Sequence, residues 1–82
     1  MTPGLDDKIH SFLKRELGKK YRTIAAATPL VSTGLIDSVA LVRLAALLET
    51  ESGLVIPDRD ITAEHFDTIE KMHAYLDARQ RR

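Results

Sequence analysis

Behind Asp37-Ser38, the residues Val39 to Ser52 contain neither proline nor glycine, and Gly53 ends the run. Fourteen such residues make about four helical turns, so one helix is expected over about Ser38 to Ser52. At 100° per residue its apolar side chains divide between two sides. Leu41, Leu44, Ala45 and Leu48 point one way. Val39, Val42 and Ala46 point the other and share their stripe with Arg43. An 82-residue chain has enough material for one modest core, and such a core cannot surround a helix. One side is therefore expected to pack and the other to face a partner.

The remaining elements follow the same logic. Thr2-Pro3 suits the start of a first helix. Leu5, Ile9, Phe12, Leu13 and Leu17 then fall on one face, and Gly18 stops it. Residues 18–37 read as a long connection, anchored on the core by Ile24 and Leu30, with a short turn at Ala25-Ala26-Ala27. Gly53 with Leu54 suits a C-terminal cap and its apolar latch. Pro57 marks an extended segment, and Thr62 to Phe66 makes one helical turn with Ile61 and Phe66 facing inward. Asp67-Thr68-Ile69-Glu70 has the form of a capping box. It opens a last helix through about Ala78, with Ile69, Met72 and Leu76 inside and Tyr75 at the edge. The expected fold is all-α, a small bundle of three main helices plus one short helix, with a long loop between helices one and two. Residues 1–82 form a single domain, its last residues frayed.

Composition excludes several functions. There is no cysteine, which removes disulfides and thiolate metal sites. No apolar run reaches the length of a membrane span, and no secretory signal pattern opens the chain. A cytoplasmic protein is expected. Residues 1–36 hold six basic and three acidic side chains, residues 37–77 nine acidic and three basic, so the second part is acidic and attracts basic partner surfaces. No helix carries a stripe of Lys and Arg, which argues against nucleic acid. Arg79, Arg81 and Arg82 read as a solvated end.

Ser38 sits where unpaired N–H groups and the helix dipole favour an attached anion. Ser and Asp are also ordinary N-caps. As a catalytic nucleophile Ser38 lacks a Gly-x-Ser-x-Gly elbow and an evident His–acid activator. His10, His65 and His73 are scattered, and the eight-residue gap between the last two is not a helical metal-ligand spacing. The chain carries no convincing catalytic constellation and does not read as an enzyme.

Gly34-Leu35-Ile36-Asp37-Ser38-Val39, the helix to Gly53, and Leu54-Val55-Ile56-Pro57-Asp58 together resemble the acyl carrier and peptidyl carrier protein family. Asp37-Ser38-Val39 is similar to its Asp-Ser-Leu attachment motif, with Val39 in place of Leu. The resemblance runs from about Pro29 to Leu76. It implies 4′-phosphopantetheine esterified to the Ser38 hydroxyl, with the cargo held as a thioester. Asp37 and Gly34 are implied as accessory residues, Asp37 positioning the serine for the transferase. Each has a structural alternative, Asp37 as a plain cap and Gly34 as a plain turn. Val39, Val42, Arg43 and Ala46 are implied as the docking stripe. The implied partners of this monomer are a phosphopantetheinyl transferase, an adenylate-forming acyl or aminoacyl ligase, and downstream acyl-accepting enzymes.

One feature departs from fatty-acid-synthesis carriers, whose second helix is densely acidic. Residues 38–52 here offer Glu49 and Glu51 against Arg43, so apolar contact should matter more in docking. The Gly-Leu-Ile-Asp-Ser form and the segment Ile61 to Ile69 look more like stand-alone carriers of amino acids or specialised acyl groups. A fatty-acid or polyketide carrier is the alternative within the family. A cofactor-free helical adaptor using the same stripe is the alternative of another class.

Overall fold

Leu5, Ile9 and Leu13 recur every fourth residue and are fully buried, which draws the first helix, α1 (Leu5–Leu17), onto the core. Asp6 and Asp7 in its first turn and Lys14 and Arg15 in its last complement the helix dipole. The computed structural model describes residues 4–80. The expected start at Thr2-Pro3 lies outside them. Gly18 ends α1 at φ 59°, a backbone conformation glycine adopts without the Cβ penalty. Phe12 shares that face but sits at its edge. It and Leu17 are only partly buried, packed against the cluster from outside.

The other helices are α2 (Ser38–Ser52), α3 (Ala63–Phe66) and α4 (Ile69–Gln80). There is no strand among the described residues. The result is the expected all-α bundle of three main helices and one short one, similar in plan to acyl carrier domains. Leu41, Leu44 and Leu48 of α2 are buried, each contributing about 2 kcal/mol of burial free energy. Phe66, Ile69, Met72 and Leu76 complete the core from the C-terminal part.

The connection between α1 and α2 is more ordered than its sequence suggests. Gly18–Thr23 forms a 3₁₀ helix, with Tyr21 packed on the core and its hydroxyl 2.6 Å from His10 Nδ1. A turn closes at Ala25, whose carbonyl accepts from Thr28 N–H at 3.1 Å. Leu30 and Ile36 are buried, and Ile36 N–H donates to the Leu30 carbonyl. Leu30 thus anchors the loop as expected, with Ile24 packed at the edge of the core.

The start of α4 corrects a second expectation. Asp67 does not cap it in a box with Glu70. Thr68 Oγ1 accepts from Lys71 N–H at 3.0 Å and fills the cap role. The Asp67 carboxylate turns back to the long loop, where Oδ1 accepts from the N–H groups of Leu30, Val31 and Ser32. Oδ2 accepts from the Ser32 hydroxyl at 2.7 Å. Glu70 N–H donates to the Ala26 carbonyl and ties the loop a second time. These bonds, the Ser32 backbone N–H above all, hold the Asp67 pKa below the ordinary carboxylate range.

Arg79 is likewise not part of a solvated end. Its guanidinium lies 5.6 Å from the Tyr75 ring centroid and 3.8 Å from Asp60. Asp60 accepts the Tyr75 hydroxyl at 2.6 Å, which is the main cause of its lowered pKa. Burial and that carboxylate push the Tyr75 hydroxyl up. Arg81 and Arg82 lie outside the described residues.

Candidate functional site

The loop that Asp67 secures leads directly into the start of α2. Gly34 N–H donates to the Val31 carbonyl, and Gly34 itself has φ 79°. A Cβ there would meet nothing within 4 Å, so the left-handed backbone is what calls for glycine at this position. Ile36 then buries its side chain, which leaves Asp37 and Ser38 exposed at the helix tip.

Asp37 is the N-cap. Its extended backbone turns the chain into α2, and its Oδ1 accepts from Ala40 N–H at 2.8 Å. Its carbonyl accepts from Leu41 N–H at 2.9 Å. The N–H groups of Ser38 and Val39 make no hydrogen bond among the described residues, and neither does the Ser38 hydroxyl. The first turn contains no acidic side chain. An exposed hydroxyl therefore stands beside two open donors at the positive end of a fifteen-residue helix.

This arrangement suits an attached anion as well as an ordinary helix start. The model of the family described as "Phosphopantetheine attachment site" matches residues 7–76. The chain belongs to that family. Neither the curated proteins nor the solved structures compared with it gave a significant match. Members of the phosphopantetheine attachment-site family are carriers, not catalysts, and bear 4′-phosphopantetheine covalently on a serine. They meet phosphopantetheinyl transferases and acyl-handling enzymes. No described helix is long and apolar enough to cross a membrane.

The chain's residues fit that group. A phosphate on Ser38 would find the open N–H groups of Ser38 and Val39, with the Asp37 carboxylate held back by its bond to Ala40. No histidine or carboxylate of the chain is hydrogen-bonded to the Ser38 hydroxyl among the described residues. His10 is held by Tyr21, His73 by Asp6 at 2.8 Å, and His65 packs between Phe66 and Tyr75. No cluster of metal-ligating side chains occurs among the described residues.

Of the stripe residues, Val39 is 66% exposed and Val42 55%, and Arg43 and Ala46 are exposed beside them. Arg43 is not free, however. Its guanidinium meets Glu16 of α1 at 2.8 Å, so its charge is partly neutralised within the bundle. Sequence reasoning did not single out Val55, which at 74% exposure is a third large apolar side chain in solvent. It lies beside the last turn of α2, because Ile56 N–H donates to Glu49 Oε2 at 2.7 Å. The alternation of Leu54, Val55 and Ile56, with Ile56 buried, is the signal that was present.

Proposed function

We propose that this protein carries an amino acid or a specialised acyl group on 4′-phosphopantetheine attached through the Ser38 hydroxyl. The observation that carries the reading is the exposed, unbonded Ser38 hydroxyl beside two open N–H groups at the start of α2. The Ser38 oxygen forms the new bond to phosphorus as the nucleotide of coenzyme A leaves. Its proton passes to a group on the transferase, since no base of this chain bonds to it. When bound, the prosthetic group supplies a thiol that holds the cargo as a thioester.

Asp37 orients the serine by capping the helix, and Gly34 supplies the left-handed turn that brings both to the tip. Val39, Val42, Arg43 and Ala46 form the face on which a phosphopantetheinyl transferase and an adenylate-forming ligase dock. Transient docking suits a small interface. The preference for an aminoacyl or specialised cargo over a fatty acid draws support from the charge of α2. Its acids are Glu49 and Glu51, and Glu49 is occupied with Ile56 N–H. Partners would thus read apolar shape on α2 more than negative charge.

Incubation with coenzyme A and a broad-specificity transferase, followed by intact mass, should add one phosphopantetheine to the wild type and none to Ser38→Ala. A panel of adenylate-forming ligases then identifies the cargo. A wild-type chain that stays unmodified would leave a cofactor-free adaptor as the better reading.

A further inference from the structure

A groove of about 380 Å³ runs between α1 and α2, lined by Lys8, Ser11, Phe12, Arg15 and Leu47. Phe12 and Leu47 are half-buried and make its apolar floor, while Lys8 and Arg15 are exposed at its rim. Lys8 and Arg15 stand seven residues apart, two helical turns or about 10 Å along one face of α1. Neither forms an ion pair with an acid among the described residues. Two of the three acids of α1 are committed elsewhere. Asp6 is held by His73 and His10, and Glu16 by Arg43. Asp7 does not line the groove. The result is a concave apolar floor between two cations that form no ion pair among the described residues.

We propose that this groove docks a segment of a partner protein bearing an apolar side chain flanked by acidic residues about two helical turns apart. The apolar side chain enters between Phe12 and Leu47, and the acids meet Lys8 and Arg15. Charge complementarity selects this occupant. A small inorganic anion would gain nothing from the apolar floor, and a membrane surface would call for protruding apolar groups where Phe12 is recessed. The prosthetic arm is the poorer match, because Leu47 projects from the opposite side of α2 to Ser38 at 100° per residue and the arm's amides are uncharged. The site is separate from the Val39–Val42 stripe and independent of what Ser38 carries. It gives the basic N-terminal part of the chain a partner of opposite charge to those expected for its acidic part.

The test is selection from a random twelve-residue peptide display library against the full wild-type chain and against Lys8→Glu/Arg15→Glu. Lys8→Gln/Arg15→Gln serves as a milder variant, and circular dichroism shows that each is folded. The wild type should enrich peptides with Asp or Glu flanking Leu or Phe. A synthetic peptide of that sequence should shift the amide resonances of Lys8, Phe12, Arg15 and Leu47, and bind the charge-reversed chain at least about tenfold more weakly. Four results would overturn the proposal. They are no acidic enrichment, equal binding to the reversed chain, resonance shifts centred on Val39 and Val42, and the same groove shifts on attachment of phosphopantetheine alone. Binding of wild type to phosphatidylglycerol vesicles without peptide enrichment would assign the cations to a lipid surface instead.

Discussion

The Asp67 carboxylate accepts both the backbone N–H and the hydroxyl of Ser32, at 2.8 and 2.7 Å, across 35 residues of sequence. With the bonds from Leu30 and Val31 it fastens the α1–α2 loop to the junction of α3 and α4. Since that loop leads through Gly34 and Ile36 to Asp37, the placement of Ser38 depends on a side chain 29 positions after it.

Asp67→Ala removes the acceptor for the Val31 and Ser32 N–H groups and the Ser32 hydroxyl, while Leu30 N–H keeps its 2.7 Å bond to the Asp67 backbone carbonyl. It should cost about 2 kcal/mol, lowering the thermal midpoint by about 10 °C for a domain of this size. Asp67→Asn keeps one carbonyl acceptor and loses less. Equal midpoints for the two variants in thermal melts would show that the acceptor bonds contribute little.

Acid should loosen the same tether. The folded-state pKa values of Asp67 and Asp60 lie below those of the unfolded chain. Their stabilisation is therefore complete above the ordinary carboxylate range and is lost as pH falls through the lowered folded values. The thermal midpoint should drop as pH is taken from about 6 to about 2, and Asp67→Asn should show a shallower drop. Identical pH profiles would remove Asp67 from the cause.

Asp37→Ala deletes the α2 cap, whose Oδ1 accepts from Ala40 N–H. A loss of about 1 kcal/mol is expected. Asp37→Asn should cap nearly as well, so slower phosphopantetheine attachment to that variant reports a role of the carboxylate towards the transferase. Transferase kinetics for the two variants, measured beside their melts, separate the two contributions.

Val42→Asp places a charge on the exposed stripe without touching the core. Helical content should be unchanged and loading by the cognate ligase reduced. Unaltered loading kinetics would place the partner face elsewhere, with Val55 the next candidate by exposure.

α2 was legible from end to end because its determinants are local. Asp37 at the start, Gly53 at the stop and apolar spacing between them act within a turn or two. The same locality revealed Ser38 at the helix tip and the exposure of Val39 and Val42. Asp67 shows where such reading ends. Its sequence neighbours suggest a capping box, and both Asp67 and Thr68 are competent caps. Only the packing of the α1–α2 loop against α3 and α4 brought three N–H groups within reach of one carboxylate and left the cap to Thr68. Phe12, Arg43 and Arg79 follow the same pattern. Helical periodicity assigns each a direction, but whether that direction meets core, a counter-charge such as Glu16, or an aromatic ring such as Tyr75 depends on a second segment distant in sequence. Periodicity acts through bonds within one helix, whereas partners across the bundle exist only once the helices have packed.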